Sequence, residues 1–311
     1  MGTLKVLISG GAGFIGSHLT ERLVSEGHDV TVIDNLSTGS MDNLVSVIDD
    51  IKFIRSDVEI CDIDGDFDRV FHLASVANPT DYMGMQLSVL SSASVGTGKL
   101  LDLSRRSGSR FYYFSSSEVY GSHGPGGSHS EDSNSNVRLL TQRSAYLVAK
   151  MFGEQLTRSY GDRHGLDVRI IRPFNIYGPR MDVISPYGRV MTNFLRRAIG
   201  GEPLEVNGDG LQTRSFCHVY DFIDGLMMLD SIGGDVPVVN IGNPETITIG
   251  DLAELIISIT GSHSDVVNVE PVRDEPRYRC PNISLMNELC GWFPKISLHD
   301  GLMDMYRSMS S

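Results

Sequence analysis

Three side chains in this sequence have the types and spacing to take a proton from an alcohol. Ser-Ser-Ser-Glu-Val-Tyr-Gly occupies 115–121, and Tyr146 and Lys150 follow, four residues apart. On a helix, residues four apart share a face, so the phenol and the ammonium can meet. An isolated Tyr titrates near ~10 and is a poor base at neutral pH. A fixed positive charge beside it favours the phenolate and pulls it toward a working range. Ser116, at the end of an expected strand, can hold the same hydroxyl from its other side. Such an apparatus removes a hydroxyl proton while a hydride leaves the same carbon, so it needs a hydride acceptor.

A site for that acceptor is expected at the other end of the same domain. Residues 4–9 form a short apolar run, and Gly10-Gly-Ala-Gly13-Phe-Ile-Gly16 follows directly. Ile15, Leu19, Leu23 and Val24 then recur as one apolar helical face. Strand, glycine turn and helix are the context of a dinucleotide fingerprint, in which glycines admit a pyrophosphate to a helix N-terminus. A second strand ends in Asp34, about the ~20 residues beyond the turn at which an acid meets a ribose diol. That acid repels a 2′-phosphate, which favours NAD over NADP.

Composition sets the elements around these residues. The chain has 311 residues, enough for one large domain or two, with 26 Lys plus Arg against 39 Asp plus Glu and a net charge of −13. An acidic surface argues against nonspecific nucleic-acid or anionic-membrane binding. Any phosphate site must then be a local cluster of Arg and backbone amides. Cys61, Cys217, Cys280 and Cys290 show no metal or CxxC spacing, so no metal is expected and the thiols fit a reducing compartment. No signal peptide and no apolar run near the ~18 residues of a membrane span are evident, so a cytoplasmic protein is expected.

Strands are expected at 4–9, 29–33, 51–54, 69–73, 110–115 and 167–172, with helices between most of them. That alternation implies a doubly wound, Rossmann-type parallel sheet with right-handed crossovers and a site beyond the carboxyl ends of its strands. Gly10, Asp34, Asp57, Ala74 and Ser116 all fall at such ends. Past Arg172 the pattern becomes irregular, around a helix at about 188–200, which reads as a smaller C-terminal α/β domain. Residues 1–172 are thus assigned to cofactor and 173–311 to substrate, with parts of about 212–260 returning to the first domain. Residues 121–136 read as a mobile cover or a flexible surface loop, with His123 and His129 solvated.

The ordered motifs GGAGFIGSHL (10–19), IDNLSTG (33–39), FHLAS (71–75), SSSEVYG (115–121), YLVAK (146–150), RPFNIYGPR (172–180), GRVMTNF (188–194), QTRSF (212–216) and RYRCPNI (277–283) carry a family resemblance nearly end to end. The chain resembles an extended short-chain dehydrogenase/reductase of the nucleotide-sugar epimerase, dehydratase and decarboxylase group. Within that group it is most similar to UDP-glucuronate decarboxylases, through NPTDYM (78–83), SSSEVYG, GPRM (178–181) and YGRVMTNF (187–194).

The resemblance implies roles residue by residue. NAD would be held by Gly10, Gly13, Phe14, Ile15 and Gly16 in the turn, and by Asp34, Asn35, Ser37, Thr38 and Gly39 after the second strand. Asp57 and Val58, then Leu73, Ala74 and Ser75, and finally Tyr146, Lys150 and Pro173 complete that set. Tyr146 would be the base and Lys150 its tuning cation and ribose ligand. Ser116 would bond the sugar 4-hydroxyl, and Glu118 would act beside carbon 5. Arg214 and Arg279 match diphosphate-holding positions, and Arg279 also a position with a role in decarboxylation. Tyr82, Ser117, Asn175, Arg189, Val190 and Asn193 match sugar- or nucleotide-contacting positions. The helices around 86–106 and 144–160 resemble those of a four-helix dimer bundle, which implies a homodimer.

The resemblance leaves several activities open. Oxidation at sugar carbon 4 would make a β-keto acid of a uronate, which loses carbon dioxide. With a hydroxymethyl at carbon 6, the ketone would support epimerisation or loss of water. Ser117-Glu118 favours a decarboxylase over dehydratases that carry Asp before the Glu. Against this, Ser88 stands where the decarboxylase pattern has Lys or Arg, with no basic residue from Thr80 to Gly98, and Asn282 replaces Asp. Arg143 and Tyr82 are the alternatives for meeting a carboxylate. Decarboxylation of UDP-glucuronate is therefore expected, with a 4-epimerase next, a 4,6- or 5,6-dehydratase third, and a noncatalytic NAD-binding sensor as the non-enzymatic alternative.

Overall fold

The computed structural model describes residues 2–121, 127–137, 139, 141, 144–181, 190–236, 238–270 and 278–310. In chain order the elements begin β1 (Lys5–Ser9), α1 (Phe14–Ser25), β2 (Asp29–Asp34), β3 (Ile51–Arg55), β4 (Arg69–His72), α2 (Pro79–Gly84), α3 (Gln86–Ser91) and α4 (Thr97–Ser107). They continue with β5 (Arg110–Phe114), α5 (Ser144–His164), β6 (Val168–Pro173), β7 (Ile176–Tyr177), α6 (Val190–Gly200), β8 (Leu204–Asn207), β9 (Thr213–Ser215) and β10 (Cys217–His218). The last are α7 (Val219–Ser231), β11 (Val238–Ile241), β12 (Thr246–Thr248), α8 (Ile249–Thr260), β13 (Val266–Val269), α9 (Ser284–Cys290) and α10 (Leu298–Ser310).

The described residues form a seven-stranded sheet in the order β11-β6-β5-β4-β1-β2-β3. β1 runs parallel to β2 and β4, β2 to β3, β4 to β5 and β5 to β6. The chain order reverses direction at β1, which opens a crevice at the carboxyl ends of β1 and β4. Val6, Leu7 and Ile8 are all fully buried, which is why β1 reads as a continuous apolar run rather than an alternating one. β1 to β6 each lie within a residue or two of the spans expected from the sequence.

The chain divides into two compact units. The first comprises Met1–Val119, Arg138–Arg172 and Gly233–Val239; the second comprises Tyr120–Val137, Pro173–Ile232 and Asn240–Ser311. Leu7, Ile33, Val70, Leu100, Phe111 and Ile170 centre the core of the first. Phe194, Leu195, Leu204, Leu252, Ile256 and Leu302 centre the second, where two-stranded pairs replace the large sheet. Each such side chain contributes about 1.5–3 kcal/mol of burial.

Between α3 and α4 the helix passes through a π-helical stretch, Ser92–Gly96. Its bonds explain it. Ser92 Oγ donates to the Ala74 carbonyl at 2.7 Å, while a Cβ on Gly96 would lie 2.5 Å from a Val58 methyl. Immediately after it, Thr97 Oγ1 meets His72 Nε2 at 3.0 Å. A π insertion lets one helix satisfy all three fixed points.

Candidate active site

The glycine turn is built by close packing. Gly10 has φ of +79°, and a Cβ there would lie 2.7 Å from the Ala74 nitrogen; a Cβ on Gly16 would lie 2.1 Å from the Gly10 carbonyl oxygen. Only glycine fits either position. Gly13 is the N-cap of α1 and offers no side-chain cap, so the amides at that helix start face outward without a competing side chain. A Cβ on Gly39 would lie 2.9 Å from Ala12, and Ser40 N–H donates to the Ala12 carbonyl, so the 35–40 loop packs on the same turn.

Asp34 ends β2 and joins the two loops. Its Oδ2 accepts from Ala12 N–H at 3.0 Å and its Oδ1 from Leu36 N–H at 2.8 Å. Burial raises its pKa, and those two amides pull it back. Each carboxylate oxygen keeps a further lone pair, enough to accept from a ribose diol. Asn35 Nδ2 donates to Asp57 Oδ1 at 2.5 Å and Asn35 Oδ1 accepts from Ser37 N–H, which orders the loop carrying Ser37 and Thr38. Glycine cradle, open helix start and terminal acid together fit a dinucleotide such as NAD.

Beyond the next strands, Leu73 N–H donates to the Ser9 carbonyl, and the Ser75 hydroxyl is buried with no hydrogen-bond partner among the described residues. His72 bridges Ser9 Oγ at 2.7 Å and Thr97 Oγ1. Burial, aided by the Lys150 charge, pushes this imidazole down to about 3, so it is neutral.

The candidate proton-transfer residues lie at the end of β5 and on α5. Tyr146 and Lys150 are both buried on α5, and Lys150 Nζ donates to the carbonyl of Phe114 at 2.7 Å. Phe114 is the last residue of β5, two before Ser116, so this bond anchors the helix face to the strand end that carries the serine. Lys150 Nζ lies 5.6 Å from the Tyr146 ring centroid and 5.5 Å from that of Tyr113. Burial pushes the ammonium down to about 7, opposed by the Glu154 charge. Ser116 Oγ accepts from Glu118 N–H, starting a short 3-10 turn at Ser117–Tyr120 that leaves Glu118 half-buried and Ser117 buried.

Tyr82 is fully buried and stacks on Tyr146, with centroids 4.9 Å apart and planes at 7°. It forms a wall that fixes the plane of the phenol. Sequence reading missed Glu154 and Arg172, although Glu154 follows Lys150 at the same four-residue spacing that flagged Tyr146. Arg172 donates to both Glu154 oxygens, at 2.8 and 2.7 Å.

In the second unit, Asn175 takes φ of +41°, with Nδ2 donating to the Ser215 carbonyl at 2.9 Å. Ser215 neighbours Arg214 on β9, so Asn175 and Arg214 are tied to one strand. Val190 starts α6, and Asn193 accepts from Arg196 one turn on. Arg189 and Arg143 lie outside the described residues.

His129 corrects the expectation of a solvated histidine in a mobile or flexible loop. It is 3 % exposed, stacks on Tyr120 at 4.8 Å, and its N–H donates to the Cys280 carbonyl. Asn240 completes the joint: its Oδ1 accepts from Tyr120 OH at 2.7 Å, its Nδ2 donates to the His129 carbonyl at 2.8 Å, and its N–H donates to Glu131. The Gly/Ser/His-rich composition of 121–136 signalled a solvated loop because nothing in it announces a stacked ring or a distant asparagine, and His123 lies outside the described residues. Cys280 follows Arg279, so this network holds the backbone that presents that guanidinium.

Residues 6–242 match the profile of the NAD dependent epimerase/dehydratase family. The chain belongs to that family. It is 41% identical over 308 residues to UDP-glucuronic acid decarboxylase 3 of Arabidopsis thaliana, covering 96% of this chain and 87% of the relative. Among solved structures, the UDP-N-acetylglucosamine 4-epimerase of Methanobrevibacter ruminantium superposes with a TM-score of 0.92 at 28% identity, covering 100% and 99% of the two chains. The UDP-glucuronic acid 4-epimerase of Bacillus cereus, solved with UDP-glucuronic acid and NAD, gives 0.88 at 28% identity and 99% coverage of both. Membership of an NAD-dependent family agrees with the glycine cradle and Asp34. No helix among the described residues is long and apolar enough to cross a membrane.

Proposed function

We propose that this protein decarboxylates UDP-glucuronate through a 4-keto intermediate, releasing UDP-xylose or a UDP-4-keto-pentose. The observation that carries the reading is the Lys150–Phe114 bond, which sets a buried cation beside Tyr146 at the strand end of Ser116. The similarity to plant UDP-glucuronic acid decarboxylases supports the choice of substrate. The first unit would hold NAD through the glycine turn, Asp34 and the loops they organise; the second would hold the nucleotide sugar, through Asn175, Arg189, Asn193, Arg214 and Arg279.

Tyr146, as phenolate, takes the proton of the sugar 4-hydroxyl while Ser116 holds the oxygen in place. NAD supplies a reversible hydride acceptor for carbon 4. The resulting 4-ketone lies β to the carbon-6 carboxylate. The carbon 5–carbon 6 bond then breaks, carbon dioxide leaves, and its electron pair passes into the carbonyl as an enolate. Protonation at carbon 5, with Glu118 or a water it positions as donor, regenerates the ketone. On the route to UDP-xylose, Tyr146 returns its proton to the carbon-4 oxygen and the cycle is redox-neutral; release of the UDP-4-keto-pentose would instead leave the cofactor reduced, and that route would require its exchange for free NAD. Lys150, titrating near neutrality, keeps the phenolate accessible.

A 4-epimerase is the second reading, favoured by Ser88, which is exposed on α3 and offers no cation to a carboxylate. Incubation with UDP-glucuronate followed by mass spectrometry separates the two. Loss of carbon dioxide supports decarboxylation; unchanged mass with a new stereoisomer by NMR moves the assignment to the epimerase. Exposed Leu87 on α3 and Val148 and Phe152 on α5 support a homodimer through these helices. The four free thiols fit a reducing, cytoplasmic setting.

A further inference from the structure

We infer that Glu154 and Arg172 are positioning residues that hold Lys150 and set the pH range over which Tyr146 serves as base. The inference rests on the reading of Tyr146 as base and deepens it. Along α5, Tyr146, Lys150 and Glu154 follow at successive four-residue steps, so the ammonium has the phenol one turn before it and a carboxylate one turn after it. Arg172, on β6, closes on that carboxylate with Nε to Oε1 at 2.8 Å and Nη2 to Oε2 at 2.7 Å. A fork of this kind fixes the plane of the carboxylate as well as its place. Both side chains are largely shielded, at 13% and 14% exposure, so solvent does not erase their fields.

Among the described residues, Tyr113 and His72 also face Lys150, and neither carries a charge to compete. Tyr113, on β5, lies under the ammonium with its hydroxyl buried, and burial raises it far out of the working range. His72, on β4, is neutral. Glu154 is the carboxylate acting on Lys150 among the described residues. The carboxylate favours the ammonium and disfavours the phenolate, so it moves both titrations upward. The guanidinium does the reverse. The pair therefore works as a clamp whose halves push in opposite directions, with Lys150 kept charged by one and Tyr146 kept acidic by the other.

Those opposed signs make the test. In the NAD-bound protein, tyrosinate absorbance is titrated for the parent and each variant, and the matching Tyr146→Phe background is subtracted to isolate Tyr146. Glu154→Gln keeps the shape and an acceptor for Arg172, and should move the Tyr146 transition down by about one pH unit. Arg172→Gln should move it up, by about half a pH unit. The double variant should lie between the two, about half a pH unit below the parent, and it keeps the test decisive if Arg172→Gln does not fold alone. Unchanged titrations, or shifts in the same direction for both single variants, would overturn the inference. The readout uses no sugar substrate. A wrong substrate assignment therefore appears in the product analysis and leaves these shifts in place.

Discussion

Replacing Lys150 with Met should make the protein more stable at low pH while destroying its chemistry. In the fold the ammonium titrates at about 7, against 10.5 when free. A difference of that size makes charging this site in the folded state about 4–5 kcal/mol harder than in the unfolded chain. The lost bond to the Phe114 carbonyl and the unpaired acceptor left behind offset about 2–4 kcal/mol of the gain. Below pH 7 both states carry the proton and the cost is fully present. Between pH 7 and 10.5 the folded state sheds its proton first, and the unfolded chain binds more protons, so the parent gains stability as pH rises. Met has no such dependence. Urea denaturation of both proteins without added NAD should show the difference moving by about 2–3 kcal/mol against the variant from pH 6 to pH 9. A difference constant across that range would refute the buried, perturbed ammonium, whatever its sign.

Tyr146→Phe should still bind NAD, read by calorimetric titration, yet lose turnover by at least ~100-fold, the scale of a missing acid–base group. Undiminished product formation would remove Tyr146 from the mechanism. Gly16→Ala places a methyl group 2.1 Å from the Gly10 carbonyl oxygen. It should abolish cofactor retention through gel filtration or prevent folding, whereas an Ala variant that keeps NAD would mean the turn has slack. Asn240→Leu removes both the acceptor of Tyr120 and the donor to His129, at about 1–3 kcal/mol for each buried group left unsatisfied. Its melting temperature should fall and its KM for UDP-glucuronate should rise through Arg279; an unchanged KM would confine Asn240 to stability.

The first unit was readable because its signals are local. A strand, four glycines and a helix start occupy residues 5–16, and the Tyr146–Lys150 spacing is one helical turn. Asp34 is found by counting from that turn. What the sequence did not show depends on contacts between distant segments. Glu154 has meaning only with Arg172 on the next strand, and His129 is buried because Tyr120, Phe174 and Asn240 meet it from distant segments. The motifs after Arg172 were legible as family positions, while the bonds that order them, such as Asn175 to the Ser215 carbonyl, had no local pattern to announce them.

The π stretch at Ser92–Gly96 has a bearing on how this chain can change over time. It behaves as one surplus residue threaded into an otherwise regular spiral. Deleting Ala93 would let the backbone relax into a plain α-helix, and a residue's worth of turning, about 100°, would separate the faces on either side. Either Thr97 would swing away from His72, or Leu87 and its neighbours would rotate off the outer surface of α3. Point substitutions there need to respect the Ser92 bond to Ala74, the contact of Gly96 with Val58, and the buried place of Ala93 in the cluster of Tyr82 and Tyr146. Length, by contrast, is locked, and an altered count of residues in this segment would uncouple the strand ends from the exposed helical surface in a single step.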